Sequence, residues 1–294
     1  MSKGDSQPLT LEKKIKIGLF ILSSLAVVAA GGWWILEDQA EKERVRNRAR
    51  RATAQLIDWR LVSGGSFTMG SNEEGPEDAR PAHRVRLPSF ELSRSEVTVR
   101  QYERCVKVGV CRRPGVGEQC NWERPDRKEH PVNCLSWGEA RTFARWLDAD
   151  LPTEAEWEFA ARGRGEHLHS PWGDERVSCR RVVMSEDGHG CGGGGSMEVC
   201  SKQRGNSPEG ICDLIGNVSE WVRDDYHESY EGAPRDGSAR CAEADCAPGR
   251  RDRISRGGSW HDDERADLSA LYRSKDPNYG RYFYLGFRLR RDVP

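Results

Sequence analysis

The hydrophobic pattern of the chain changes twice along its length. Ile17 to Leu36 is a run of twenty residues without a charge, long enough as a helix to cross roughly 30 Å of hydrocarbon. It predicts one transmembrane signal-anchor helix over 17–36. Lys13, Lys14 and Lys16 precede the run, Glu37 and Asp38 follow it, and Trp33 and Trp34 stand where an interfacial aromatic anchor belongs. This pattern puts residues 1–16 in the cytoplasm and the bulk of the chain outside, on a single-pass protein of the cell membrane. A cleavable signal peptide ending near Val28-Ala29-Ala30 is the alternative, but the run continues past that point to Leu36. Residues 37–58 then read as a charged helical stalk. Within it Val45, Ala49, Ala52 and Leu56 are spaced as a weak dimer seam or, with only two heptads, as part of a solvated juxtamembrane helix.

From residue 59 to 294 short apolar stretches alternate with Gly, Pro and Asn/Asp turns, without an internal repeat. Three helix starts are legible there. Thr98-Val-Arg-Gln101, Ser136-Trp-Gly-Glu139 and Thr153-Glu-Ala-Glu156 each place a hydroxyl three residues before Gln or Glu, the pattern of a capping box. After the second, Ala140, Phe143, Ala144 and Leu147 form one apolar helical face; after the third, the helix runs to a stop at Gly163. The tract His189-Gly-Cys-Gly-Gly-Gly-Gly195 predicts a loop pinned by Cys191. The expected fold class is α+β, irregular and loop-rich with few helices, its core built largely of Trp, Tyr and disulfides.

Composition narrows the picture. The 294 residues are 32% charged and 36% hydrophobic, too charged for a multi-span membrane protein. The formal charge of −1 hides an asymmetry: residues 1–51 sum to +4 and the remainder to −5, so no chain-wide basic field exists for nucleic acid. The juxtamembrane cations Lys42, Arg44, Arg46, Arg48, Arg50 and Arg51 leave the orientation ambiguous by charge alone. The cysteines decide it. Ten of them, Cys105, Cys111, Cys120 and Cys134, then Cys179, Cys191, Cys200 and Cys212, then Cys241 and Cys246, form an even set with no CxxC spacing. That suits a disulfide framework in a periplasmic or extracellular compartment better than zinc knuckles or a redox motif, with the connectivity left open.

Four stretches taken in order carry a resemblance. They are Phe67-Thr-Met-Gly-Ser71 with Pro81-Ala-His83 and Glu96-Val-Thr98; Pro131-Val132 through Leu151-Pro-Thr-Glu-Ala-Glu-Trp-Glu158 to Ala160-Ala-Arg162; Gly216-Asn-Val-Ser-Glu-Trp221; and Arg256-Gly-Gly-Ser-Trp260 closing with Leu285-Gly-Phe-Arg288. Together they resemble the sulfatase-modifying factor family, founded on the formylglycine-generating enzyme, over about residues 60–290. The resemblance implies a C-type-lectin-like fold, and Cys105 to Cys111 resembles an addition seen in secreted bacterial members.

The resemblance also implies a loss. In the family enzyme two closing-segment cysteines bind copper and oxidise a substrate cysteine; the matching positions are Asp262 and Asp267. Carboxylates are hard ligands for Cu(I) and form no substrate disulfide, so copper and its oxidase chemistry are not expected. Ser219 and Tyr284 also depart from the family pattern, whereas Ser259 matches an active-site serine or caps a turn. The family's calcium set maps to Asp213, the carbonyls of Gly216 and Val218, and the carboxylate of Glu220, hard oxygens of the kind calcium takes. A second calcium loop near Val182–Gly188 does not align. Asn217-Val-Ser219 spells a glycosylation acceptor but reads as accidental in so constrained a loop.

What stands in place of the copper ligands is polar. Trp260, His261, Asp262, Asp263, Arg265, Asp267, Tyr272 and Arg273 are expected to line a ligand-binding groove, with aromatic area for affinity and charge for specificity. In lectin-like relatives that diversify by retroelements, this closing stretch is the variable contact surface. An iron or manganese site on His261, Asp262 and Asp267 is the enzyme alternative, weakened because no neighbouring His supplies a second nitrogen. The expected function is a membrane-anchored, extracytoplasmic binding module for a protein, peptide or carbohydrate. The alternatives are an oxidoreductase of the sulfatase-activating or another metal-dependent type, and a structural component of a surface assembly dimerising through the stalk.

Overall fold

The computed structural model describes residues 11, 34, 36–167, 169–173, 175–186, 189–242, 246, 249–263 and 267–293. Two compact units divide the chain, Met1–Arg48 and Ala49–Pro294. In the first, residues 36–48 are helical, with Lys42 paired to Asp38 at 2.6 Å one turn back. The membrane-spanning expectation over 17–36 lies outside the described residues except at Trp34 and Leu36. Among the described residues no helix is long and apolar enough to cross a membrane.

The second unit starts ten residues before the boundary expected at Trp59. Thr53 is buried, its hydroxyl donating to the Ala49 carbonyl at 2.8 Å, and Ile57 joins the core. The last part of the expected stalk is thus packed against the domain, and Arg50 reaches Asp148 at 2.7 Å.

The domain is α+β. Strands β1 (Trp59–Val62), β4 (Phe90–Ser93) and β9 (Arg290–Asp292) form an antiparallel sheet in the order β1-β4-β9. Strands β2 (Gly65–Met69) and β3 (His83–Leu87) pair antiparallel, Gly65 opposite Leu87 and Met69 opposite His83. In β3 the strict alternation of buried His83, Val85 and Leu87 with exposed Arg84 and Arg86 is the period-2 signal of a strand with one buried face. A third sheet runs β7 (Arg273–Pro277), β6 (Asp252–Arg256), β5 (Ser219–Asp225) and β8 (Leu285–Gly286), with β8 parallel to β5.

Helices α1 (Val99–Lys107), α2 (Trp137–Trp146) and α3 (Glu154–Ala161) each begin with the expected capping box, the N-cap hydroxyl bonded to the N3 amide and the N3 side chain bonded back. Tyr102 of α1 stacks on Phe143 of α2 at 5.3 Å, and both meet Phe287 beyond β8. Helix α3 is buried at every position, its three glutamates included. Trp137, Trp157, Trp221 and Trp260 are at most 1% exposed; each such burial removes roughly 200 Å² from water, about 5 kcal/mol before entropic costs. Five disulfides join near neighbours in sequence: Cys105–Cys111, Cys120–Cys134, Cys179–Cys191, Cys200–Cys212 and Cys241–Cys246. No free cysteine remains.

Candidate functional site

The closing tract crosses from β6 to β7 and begins with a glycine pair. Gly257 and Gly258 adopt φ of +98° and +67°. A Cβ on Gly257 would lie 2.7 Å from the Leu214 carbonyl oxygen, and one on Gly258 2.7 Å from that of Asp267. Only glycine fits this left-handed, crowded step; beyond it Ser259 and Trp260 stay buried and residues 261–263 reach the surface.

Ser259 is buried and closes a tight turn with Asp262. The Asp262 Oδ2 accepts from the Ser259 amide at 2.8 Å and from its hydroxyl at 2.9 Å, while the His261 amide donates to Ser259 Oγ. The carboxylate at the first lost cysteine position is therefore committed to holding this turn. A second segment is laced alongside: Ser185 N donates to the Asp262 carbonyl at 2.8 Å and Gly190 N to that of Trp260 at 3.0 Å. This segment is closed by Cys179–Cys191 and delivers His189, whose ring stacks on His261 at 4.6 Å and 11°. Both imidazoles are exposed, and Ser185 Oγ lies 3.1 Å from His189 Nδ1. The second imidazole that the tract itself lacks is thus supplied from 72 residues away.

The opposite wall comes from the turn into β8. Phe283 packs on Trp260 and on His261, each at 5.6 Å, and Tyr282 stacks on Tyr284 at 5.3 Å. The Tyr284 hydroxyl donates to Asp276 Oδ1 at 2.9 Å, and Ser255 Oγ donates to Asp276 Oδ2 at 2.7 Å. Burial, with Asp267, Asp262 and Asp276 adding to it, pushes the Tyr272 hydroxyl up to about 12. Burial and Asp276 drive Tyr284 up as well. These tyrosines stay protonated in an acidic field.

Two residues expected in the groove are elsewhere. Trp260 is 1% exposed and forms the floor beneath His189 and His261 rather than a ligand-facing wall. Arg273 is buried against Glu154 of α3 at 2.6 Å, with further bonds to the Asp78 and His227 carbonyls, so its guanidinium balances core acid and faces no ligand. Asp263 is exposed, Asp267 and Tyr272 are half-buried, and Arg265 lies outside the described residues. His189, Phe283 and Asp276 were not legible as site residues; for His189 the only signal was its place at the head of the glycine-rich loop.

The residues expected to hold calcium are buried together. Arg288 Nη2 donates to Glu220 Oε1 at 2.5 Å and Nε to Oε2 at 2.6 Å, and Trp157 Nε1 adds a bond to Oε2 at 2.8 Å. Glu220 is thereby neutralised and does not fit as a cation ligand without displacing Arg288. Asp213 accepts from the Cys200 amide at 2.5 Å. Glu96 is fully buried nearby, bonded to Asn217 through Oε1 while Oε2 has no partner. Burial raises both Glu96 and Asp213, each also feeling neighbouring carboxylates. Three carboxylates thus face one guanidinium. The fit to a hard cation fails at Glu220, and among the described residues Glu96 and Asp213 do not close a cluster of metal-ligand atoms with it. Asn217 is itself fully buried, which removes it as a glycan acceptor in the folded chain.

Copper fits less well still: carboxylates stand at both cysteine positions, and all ten cysteines are paired.

The sulfatase-modifying factor enzyme 1-like domain model matches residues 26–293. The chain is 28% identical over 274 residues to the serine/threonine-protein kinase Pkn1 of Chlamydia trachomatis serovar L2, covering 88% of this chain and 42% of that protein; it thus spans about two fifths of that relative's length. It is 29% identical over 296 residues to the formylglycine-generating enzyme of Streptomyces coelicolor, covering 79% of this chain and 88% of that enzyme. The structure of PvdO from Pseudomonas aeruginosa superimposes with a TM-score of 0.67 at 24% identity, over 80% of this chain and 94% of that one, a likeness of fold. With the ordered motifs and the α+β scaffold, the match over residues 26–293 establishes that the chain belongs to the sulfatase-modifying factor enzyme 1-like family.

Proposed function

We propose that this chain is a membrane-anchored, extracytoplasmic member of its family that has lost copper oxidase chemistry and works as a binding module, through the groove formed by residues 259–263, 272, 282–284 and His189. The observation that carries this reading is the pairing of every cysteine together with Asp262 and Asp267 at the copper positions. A thiolate pair is what the oxidation needs, and no thiol is left to supply it. The relatives named formylglycine-generating enzymes support the scaffold, and the kinase relative, matched over about two fifths of its length, supports use of the domain in a larger protein of a different kind. The test is thiol titration of the denatured, unreduced full chain alongside copper(I) competition. Zero thiols and no high-affinity copper support the reading; two thiols with tight copper overturn it.

The sequence supports anchoring through residues 17–36, with the domain outside; protease digestion of intact spheroplasts should remove residues 59–294 and spare 1–16. A second reading is a metal-dependent oxidase: the His189 imidazole lies beside His261, the nitrogen such a site lacks in the tract itself, although among the described residues no cluster of metal-ligand atoms closes there. Iron or manganese retained after purification and lost in His189→Ala would support it.

For calcium we propose a site centred on Asp213 and the carbonyls of Gly216 and Val218, joined by Glu96, whose orphaned Oε2 is a hard oxygen of the right kind. Chelation with EGTA should then lower the melting temperature of the wild type but not of Glu96→Gln. An EGTA-insensitive wild type ends the calcium proposal.

A further inference from the structure

Residues 52–294 sum to −5, yet the outer face of the β2–β3 ribbon carries only cations and hydroxyls. The alternation that buries Phe67, Met69, Val85 and Leu87 leaves Ser66, Thr68, Arg84 and Arg86 exposed. Ser66 stands opposite Arg86 and Thr68 opposite Arg84. The two arginines share one strand face, their Cα atoms about 7 Å apart. Along the other edge of β3 the Arg86 amide donates to the Arg235 carbonyl at 2.9 Å, which brings a third exposed arginine alongside. The core arginines Arg256, Arg273, Arg288 and Arg290 each meet a carboxylate. Among the described residues Arg84, Arg86 and Arg235 form no ion pair. Arg80, just ahead of β3, is unpaired as well, and its Nε is buried without a hydrogen-bond partner. Asp236, next to Arg235, is taken up by its own turn, accepting from the Ser238 amide at 3.0 Å and hydroxyl at 2.6 Å. Arg86, Pro88, Pro234 and Arg235 border an open depression of about 810 Å³ at one end of the face.

We propose that this face docks a polyanionic polysaccharide, its sulfate or phosphate esters held by Arg84, Arg86 and Arg235 and its hydroxyls by Ser66 and Thr68. Guanidinium forks match tetrahedral oxyanions bidentately, and a polymer bearing repeated esters meets several of them at once. The four outward side chains of the ribbon include no aromatic ring on which a nucleic-acid base would stack. They include no large anchor of the kind that dominates protein interfaces, and no apolar group to enter a bilayer. The face shares no residue with the closing-tract groove, so the two stand or fall separately.

The experiment uses the full chain in zwitterionic nanodiscs at about 50 mM salt, a strength at which screening is modest. Fluorescein-labelled dextran sulfate is the probe, with neutral dextran, poly-glutamate, oligothymidylate, phosphatidylglycerol vesicles and inorganic sulfate as comparisons. Dextran sulfate should bind and neutral dextran should not. Arg84→Gln with Arg86→Gln should weaken the binding roughly 10-fold and flatten its salt dependence. Both side chains are exposed, so the melting temperature should not move. Ser66→Ala with Thr68→Val, which removes two hydroxyls and no charge, should cost roughly 3-fold; a wild-type affinity would remove both hydroxyls from the site. Lys107→Gln with Arg112→Gln takes the same charge from the end of α1 and the residues beyond it, and should change nothing. Equal weakening by the two charge pairs would reduce the effect to net charge and overturn the proposal. Absence of binding, or full binding by the double arginine variant, would overturn it as well. Poly-glutamate, oligothymidylate or the vesicles binding as tightly through the same arginines would overturn the polysaccharide assignment. Inorganic sulfate competing as well as the polymer, ester for ester, would overturn the polymer. If Tyr272→Ala weakens dextran sulfate as much as the arginine variant does, the ligand sits in the closing-tract groove and this face falls.

Discussion

Two regions a few residues apart in sequence handle charge in opposite ways. Beneath α3, Glu154 and Glu158 share Arg256, with Arg273 and Arg162 on the flanks and the Tyr230 hydroxyl donating to both glutamates. Every partner there is buried, so each charge is compensated inside the fold. At the closing tract Asp263 is exposed, Asp262 is half-buried against Ser259 and Asp276 is buried behind the Tyr284 hydroxyl, and none of the three has a basic partner among the described residues. Stability is at stake in the first region, and the proposed binding groove lies in the second. Arg273 marks the border: adjacent in sequence to Tyr272, it belongs wholly to the core.

The contrast predicts a separation of effects. Arg256→Met removes the guanidinium shared by two fully buried glutamates, and breaking one member of a buried ion network costs about 3–5 kcal/mol. For a domain of this size that lowers the melting temperature by roughly 10 °C, as differential scanning calorimetry would read. Asp263→Asn should stay within about 0.5 kcal/mol of wild type. A core variant with unchanged melting temperature would remove the distinction between the two regions.

The separation also explains what was legible in the sequence. Capping boxes at Thr98, Ser136 and Thr153 are local signals, three residues long, and all three hold. The glycine pair stands in the sequence only as part of a family motif; its conformational need, φ of +98° and +67° at Gly257 and Gly258, is a finding of the structure. Arg273 was not, because nothing near it in the chain says that Glu154, 119 residues earlier, waits in the core. His189 was missed because a glycine-rich loop carries no periodicity to say which neighbour it meets. Trp260 was misplaced because indole rings serve binding surfaces and cores equally well. Disulfide pairing could not be chosen from spacing, yet every bond joins cysteines 5 to 14 residues apart.

One core acid sharpens the comparison by lacking an arginine. Asp224 accepts from the Glu154 amide at the start of α3 and from the Arg240 amide, both at 2.7 Å. Burial, with Glu154 next, raises its carboxyl from 3.8 to about 7. Where the fold supplies no cation, it resolves the charge with a proton. Because the folded value lies above the unfolded one, the contribution to stability is fully present below about pH 4 and is lost as pH rises through about 7. The difference in unfolding free energy between wild type and Asp224→Asn, read from urea titrations, should therefore change by about 4 kcal/mol across that window. A pH-independent difference would mean that Asp224 is ionised throughout and that the amides alone compensate it.

A more modest stability effect links the closing tract to the loop beside it. Cys179–Cys191 closes a loop of twelve residues, for which chain entropy predicts at most about 3 kcal/mol and measured values are often lower. The loop also carries His189 onto His261 and bonds its backbone to Trp260 and Asp262. Replacing both cysteines by serine should thus cost about 2 kcal/mol in chemical denaturation while loosening the His189 wall of the groove. The NMR signals of His189 and His261 should then shift and broaden, although neither ring has been touched. The Cys105–Cys111 bond, at α1 and away from the tract, supplies the control: its removal should cost stability without moving those signals. If both double variants move the signals equally, the groove depends on global stability and the separation between regions fails. If only the Cys179–Cys191 variant does, the disulfide acts locally by holding one wall of the recognition surface in place.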